Sequence, residues 1–203
     1  MLLRQFVVGP YQNFTYVVAA REGGEGVVID PSFGIEPVLS AIDEQSLRVR
    51  YILNTHSHPD HIAGNDEVRA RTGAKVGAYR SAPLGQDLPL EDGQELTVGG
   101  IPIRVLHTPG HTPDSVLYLF EGRVATGDTL FVGECGRTDL PGGDPGALYD
   151  SLFSRVLHLD DATIVLPGHD YGATPTSTIG QERRTNYVLQ PRTREEFIAF
   201  LRE

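Results

Sequence analysis

The fold class follows from the way short apolar runs alternate with turn residues along the chain. Runs rich in β-branched and aromatic residues predict strands over residues 3–8, 15–19, 26–30, 49–53, 75–78, 95–98, 101–106, 115–120, 123–125 and 163–166. Apolar stripes and a capping box at Thr193 and Glu196 predict helices over 37–45, about 62–71, 146–157, 176–187 and 197–201. This order favours an α/β fold in which two sheets pack face to face with helices outside, a four-layer αββα sandwich.

The length and charge of the chain limit the classes of protein to which it can belong. Its 203 residues predict a single domain over residues 1–203, since domains usually hold about 150 residues. The net charge of −10 argues against nucleic acid or an anionic membrane as the main partner. Cys135 is the single cysteine, which excludes an intramolecular disulfide. With no long apolar run, we predict a cytoplasmic protein without a membrane partner, and a homo-oligomer is compatible with the sequence.

Four potential metal ligands lie close together directly after the predicted strand 49–53. They are His56, His58, Asp60 and His61. His56 and His58 are two positions apart and point the same way in an extended segment, whereas Asp60 and His61 lie where the chain turns into the next helix. One short loop can therefore serve two neighbouring metal centres.

Three further strand ends carry a residue of the same kind. His111 follows the run 101–106, Asp128 follows 123–125, and His169 follows 163–166. Strand ends of a sandwich converge on one rim, so we expect these residues to meet the first loop there. We predict one centre of His56, His58 and His111, a second of Asp60, His61 and His169, and Asp128 as the bridge between them.

The residue types indicate the chemistry of such a centre. Imidazoles and carboxylates without thiolates suit Zn²⁺ or Fe²⁺ with open positions, whereas structural zinc sites favour closed, cysteine-rich sets. Two cations lower the pKa of water from 15.7 to about 7, so that hydroxide can attack a carbonyl carbon. Asp60 is the natural proton acceptor for that water and is our candidate catalytic residue. A metal-binding interaction module is the non-catalytic alternative. His107 and His158 are interpreted as ordinary histidines, of which His107 is adjacent to the site.

The segment Thr55-His56-Ser57-His58-Pro59-Asp60-His61 resembles the THxHxDH signature of the metallo-β-lactamase superfamily. His111, Asp128 and His169 match the later ligand motifs of that family in the right order, and the resemblance covers nearly the whole chain. It implies the αββα sandwich with two divalent metals at one edge, held by the seven residues. The metals implied are zinc, or iron or manganese in its place.

Two branches of the superfamily fit the remaining motifs. The stretch 136–144 resembles the glyoxalase II-like hydrolases, which cleave acyl-glutathione thioesters. Cys135, the triplet His169-Asp170-Tyr171 and the stretch 13–16 resemble the persulfide dioxygenases. Those enzymes oxidise glutathione persulfide with O₂ to give sulfite, and the resemblance implies a single Fe(II) on His56, His111 and Asp128. We predict a hydrolase of a glutathione thioester, with the dioxygenase as the alternative.

Two residues are predicted to bind a small-molecule substrate, a glutathione conjugate. Arg137 offers a bidentate guanidinium to a carboxylate of the tripeptide, although it can equally pair with Asp139. Tyr171 can reach the substrate with its phenol or pack as a half-buried aromatic. Cys135 is interpreted as a buried, inert thiol.

Overall fold

The computed structural model describes residues 1–202 as two six-stranded sheets with helices on their outer faces. The first sheet contains β1 (Leu2–Val8), β2 (Asn13–Ala19), β3 (Glu25–Ile29), β4 (Arg48–Leu53), β5 (Lys75–Tyr79) and β6 (Leu88–Leu90). The second contains β7 (Glu95–Val98), β8 (Ile101–His107), β9 (Val116–Phe120), β10 (Arg123–Gly127), β11 (Ile164–Pro167) and β12 (Ser177–Thr178). The helices are α1 (Glu36–Glu44), α2 (Pro59–Ile62), α3 (Asn65–Thr72), α4 (Pro145–Ser154), α5 (Ile179–Thr185) and α6 (Arg194–Phe200).

The strand directions bring several chain segments to one edge of the sandwich. In the first sheet β3 to β6 run parallel, and β2 is antiparallel to β3. In the second sheet β8 and β10 are both antiparallel to β9, and β11 is parallel to β10. The carboxyl ends of β8, β10 and β11 therefore lie at the same edge of the second sheet. The carboxyl ends of β3 and β4 and the start of β2 likewise share an edge of the first.

Three apolar clusters separate the four layers of the molecule. The central cluster contains side chains of both sheets, among them Tyr16, Leu53, Ile103 and Tyr118. A second cluster joins α1 and α3 to the first sheet, and a third joins α4, α5 and α6 to the second sheet. Every residue of β2 is buried because successive side chains alternate between the central cluster and the layer under α1. The predicted four-layer αββα sandwich is confirmed.

Several predicted elements differ from the structure in detail. The helix expected over about 62–71 is two helices, α2 and α3, because the Gly64 amide bonds the Pro31 carbonyl instead of continuing the first one. The helix expected over 176–187 begins only at Ile179, since Thr178 is its N-cap and pairs in β12. None of the helices within residues 1–202 combines the length and the apolar character that spanning a bilayer requires.

Two buried tyrosines connect the sheets near the edge where these strands end. The hydroxyl of Tyr16 in β2 donates to the Pro167 carbonyl at the end of β11 over 2.6 Å. The hydroxyl of Tyr118 in β9 donates to the Asn54 carbonyl just after β4 over 2.7 Å. Burial raises the pKa of both phenols, so both remain donors at any physiological pH. Each bond fixes the start of one loop against the opposite sheet.

Replacing Tyr118 with Phe tests this connection. The substitution removes a buried donor from the Asn54 carbonyl, so we expect the free energy of unfolding to fall by roughly 1–3 kcal/mol in a denaturant titration. Tyr51→Phe is the matched control, because Tyr51 packs against the same cluster and its hydroxyl makes no hydrogen bond within residues 1–202. Equal stability of the two variants would contradict the role given to the Tyr118 hydroxyl.

Candidate metal centre

The structure brings all seven residues predicted as metal ligands together at one edge of the sandwich. The loop after β4 supplies His56 and His58, and the short helix α2 that follows supplies Asp60 and His61. The ends of β8, β10 and β11 lead to His111, Asp128 and His169. His56, His61, His111 and His169 are almost fully buried. His58 and Asp60 are half-buried and face a cavity of about 950 Å³.

The imidazole and carboxylate atoms form two groups. In the first group, His58 Nδ1 lies 3.1 Å from His56 Nε2 and 2.9 Å from His111 Nε2. In the second group, His61 Nε2 lies 3.2 Å from His169 Nε2. The second group is completed by Asp60, whose Oδ2 is 3.6 Å from His61 Nε2 and 3.5 Å from His169 Nε2. These are the two triplets expected from the sequence.

The carboxylate of Asp128 lies between the two groups. Its Oδ1 is 3.3 Å from His61 Nε2, and its Oδ2 is 3.5 Å from His111 Nε2 and 3.4 Å from His169 Nε2. Two glycines pack closely against Asp128, and a Cβ on Gly136 would lie 1.8 Å from the Asp128 main-chain carbonyl oxygen. A Cβ on Gly168 would lie 2.4 Å from Oδ1. Any residue other than glycine at position 168 would displace this carboxylate, and at position 136 it would displace the main chain of Asp128.

Hydrogen bonds behind the cluster orient the imidazole rings. His111 Nδ1 donates to the Arg137 carbonyl over 2.7 Å, and His169 Nδ1 donates to the Tyr11 carbonyl over 2.8 Å. His61 Nδ1 faces Asp30 Oδ2 at 3.0 Å. Because carbonyl and carboxylate oxygens accept, the hydrogen of each neutral ring lies on Nδ1 and the Nε2 lone pair points into the cluster.

This donor set fits divalent cations. The Nε2 atoms of His61 and His169 lie 3.2 Å apart, a contact that is favourable only with a proton or a metal cation between them. Asp128 Oδ1 is buried and has no hydrogen-bond partner within residues 1–202. Histidine and carboxylate together are typical ligands of zinc, iron and manganese.

The pKa shifts of the clustered residues also indicate that positive charge is stabilised at this position. Burial lowers the pKa of His61, but the carboxylates of Asp128 and Asp30 outweigh it and hold the pKa well above its ordinary value. Burial alone would raise the pKa of Asp128, yet the neighbouring imidazoles of His61 and His169 lower it strongly. Burial and the adjacent rings lower the pKa of His56.

Asp30 is a residue of the centre that the sequence did not reveal. It follows β3 in the left-handed region, with φ of 49°, and is buried. Besides His61, it accepts hydrogen bonds from the Thr55 amide at 2.7 Å and the Thr55 hydroxyl at 2.6 Å. The Thr55 oxygen in turn lies 3.1 Å from His56 Nδ1. The sequence shows only an acidic residue at a strand end. The turn Asp30-Pro31-Ser32 explains such a residue without any functional role, so the sequence did not single it out.

The two predicted substrate-binding residues both line the cavity. Arg137 is exposed and makes a bidentate ion pair with Asp139, with both distances 2.6 Å, and this pairing lowers the pKa of Asp139 to about 2. The ring of Tyr171 stacks on His169 at 4.6 Å between centroids and is 56% exposed. The rest of the wall is largely aromatic and apolar, and includes Tyr11, Phe33 and Phe131.

The residues interpreted as ordinary lie outside the two groups. Burial raises the pKa of the Cys135 thiol to about 12, as expected of an inert cysteine. His107 stacks on Tyr79 and its Nε2 bonds the Pro113 carbonyl, so it is not a partner of the cluster. His158 lies in a 3₁₀ turn, Val156–His158, after α4.

The fold and the seven-residue centre together define the family of the chain. The sequence model described as the metallo-beta-lactamase superfamily matches residues 8–83 and 78–169. The chain belongs to the metallo-beta-lactamase superfamily, as the motifs of the sequence predicted.

Relatives from two branches of the family are similar to the chain. Human "Persulfide dioxygenase ETHE1, mitochondrial" is 34% identical over 99% of this chain and 80% of its own length. A hydroxyacylglutathione hydrolase of Anaeromyxobacter dehalogenans is 40% identical to this chain. The alignment covers 79% of this chain and 62% of that hydrolase. The crystal structure of ETHE1 from Myxococcus xanthus has a TM-score of 0.95 and 36% identity, covering 100% of this chain and 91% of the other.

Proposed function

We propose that the protein is an enzyme with two divalent metals, which are zinc, with iron or manganese as the alternatives. His56, His58 and His111 would hold the first metal and Asp60, His61 and His169 the second, with Asp128 bridging them. The observation that carries the proposal is the position of Asp128, whose carboxylate lies 3.3 to 3.5 Å from imidazole nitrogens of both groups. A carboxylate so placed can contact both metals of a two-metal centre.

We further propose that this centre hydrolyses a thioester, with a glutathione thioester as the substrate. Two bound divalent cations supply Lewis acidity that polarises a carbonyl group and activates water. Asp60 faces the cavity, and we assign it the role of catalytic base that accepts a proton from the attacking water. The water oxygen would then bond the carbonyl carbon, the carbon–sulfur bond would break, and the thiolate would leave as a thiol by taking the proton held by Asp60.

Arg137 and Tyr171 are proposed to bind the substrate. Only Nε and Nη2 of Arg137 bond Asp139, so the guanidinium retains N–H donors for a second carboxylate. The Tyr171 hydroxyl makes no hydrogen bond within residues 1–202, and burial together with Asp128 and Asp60 raises its pKa. It therefore stays protonated and can donate to a bound ligand.

A second reaction, oxidation of glutathione persulfide at one Fe(II), is supported by a separate observation. The ETHE1 structure from Myxococcus xanthus matches the whole of this chain, whereas the hydrolase relative matches 79% of it. Under this alternative His56, His111 and Asp128 would hold the iron, O₂ would be the co-substrate and sulfite the product. The cytoplasmic location stays a prediction, as do a homo-oligomer and the absence of nucleic-acid and membrane partners.

Metal content and product formation together distinguish the two reactions. We expect protein purified without chelators to contain about two zinc, iron or manganese ions per chain and to release free thiol from S-lactoylglutathione, because both groups are complete. Elemental analysis and a thiol assay measure these outcomes, and an oxygen electrode with glutathione persulfide runs in parallel. One iron per chain with oxygen uptake and no thioester cleavage would favour the dioxygenase.

Removing the bridging carboxylate tests the centre itself. Asp128→Ala should lose metal from both groups and reduce turnover by at least about 100-fold, since it faces both. His58→Ala should lose the first metal and turnover as well. His107→Ala is the control, because that imidazole lies outside both groups. Unchanged metal content or wild-type turnover in a folded Asp128→Ala protein would refute the assignment; circular dichroism checks the fold.

Arg137→Ala tests the substrate-binding role. We expect it to raise KM for glutathione thioesters more than for thioesters that lack a carboxylate, because only the former can use the guanidinium. Arg155→Ala is the matched control, since Arg155 makes a comparable bidentate pair with Asp92 away from the cavity. An equal rise in KM for both substrate types would remove Arg137 from substrate recognition.

A further inference from the structure

Asn13 is a fully buried residue at the start of β2 whose side chain reaches the metal centre. Its backbone lies opposite His169 in an isolated antiparallel bridge. Its amide nitrogen donates to Asp60 Oδ2 over 2.9 Å. Within residues 1–202 this is the only hydrogen bond that the Asp60 carboxylate makes, so Asn13 alone orients it from behind.

The oxygen that Asn13 bonds is the one that faces the second group. Asp60 Oδ2 lies 3.6 Å from His61 Nε2 and 3.5 Å from His169 Nε2. Asp60 sits on the short helix α2 and its side chain is 20% exposed, so packing leaves it room to rotate away. The hydrogen bond from Asn13 removes that freedom and keeps Oδ2 directed at the two imidazoles.

The orientation of the Asn13 amide follows from its surroundings. Asn13 Oδ1 is buried without a hydrogen-bond partner within residues 1–202. Turning the amide over would place this oxygen against the Asp60 carboxylate, where two acceptors repel each other. The nitrogen therefore faces Asp60, although an unpaired buried oxygen destabilises the fold. An asparagine with this arrangement contributes to the site at the expense of stability.

Each member of the second group has one partner behind it. Asp30 holds His61, the Tyr11 carbonyl holds His169, and Asn13 holds Asp60. The turn between β1 and β2 and the first residue of β2 therefore supply two of these three partners. Asn13 makes no hydrogen bond to His56, His58 or His111 within residues 1–202. Its influence is confined to the second group.

We propose that Asn13 is a positioning residue that sets the affinity of the second group for its metal and leaves the first group unaffected. The inference rests on the two-metal centre proposed above. Hydrogen-bond partners behind a metal ligand typically change metal affinity about 10- to 100-fold when they are removed. Asn13 belongs to this class because it holds a carboxylate that nothing else holds.

A zinc titration against a chromophoric chelator tests the proposal by binding, independently of activity. The wild type should show two binding steps. In Asn13→Ala, and in Asn13→Leu, which fills a similar volume without a donor, one of the two steps should lose about 10- to 100-fold in affinity while the other is unchanged. Asn186→Ala is the control, because it removes another buried amide, bonded to Glu134 and Glu182, and should alter neither step.

The outcomes separate this proposal from the proposed function. Two unchanged steps in both Asn13 variants would overturn the role of Asn13 and leave the two-metal centre standing. Equal weakening of both steps would also overturn it, because the effect would then come from the fold. Saturation of the wild type at one zinc per chain would overturn the two-metal centre and this proposal together. If Asn13→Ala does not fold, the Asn13→Leu result decides.

Discussion

The buried carboxylate of Asp30 is the contact on which the arrangement of the centre depends. It bonds the amide and hydroxyl of Thr55 at the start of the loop after β4 and the ring of His61 near the end of that loop. Thr55 in turn contacts His56. One side chain therefore fixes both ends of a segment that carries four of the seven clustered residues, and it stands behind both groups. Without this contact, ordering a loop that brings four polar side chains together would cost a large amount of conformational entropy.

The remaining residues of the cluster reach it because the two sheets are joined by hydrogen bonds at this edge. The Val116 amide bonds the Thr55 carbonyl over 2.8 Å, and the Phe14 amide bonds the Gly168 carbonyl over 2.8 Å. The hydroxyl of Tyr16 in the first sheet adds a hydrogen bond to the second sheet, and the hydroxyl of Tyr118 in the second sheet adds one to the first. The sheets are thus locked in register where the imidazoles and carboxylates must face one another. Elsewhere they are held mainly by apolar packing, which tolerates small shifts.

The sequence allowed the sandwich and the seven clustered residues to be predicted, because strand ends followed by glycine or proline are local signals. β6 and β12 were missed because two or three residues are too few to show a period. Asp30 and Asn13 were missed for a different reason. Their partners His61 and Asp60 lie 31 and 47 positions away in the chain, and no local pattern encodes such a contact. The residues that face the cluster could be recognised, and those that stand behind it could not.

The glycines around Asp128 have a consequence for how such a protein can diversify. A side chain at position 136 would meet the Asp128 carbonyl oxygen and one at position 168 would meet the Asp128 carboxylate, so substitutions at these two glycines would disturb the position of Asp128. The cavity mouth is built differently, from side chains such as Phe33, Leu140 and Tyr171 outside the strands. Substitutions there can reshape the ligand space one residue at a time while the inner geometry stays constant. Changes of substrate preference in this fold are therefore expected to arise from substitutions around the cavity mouth.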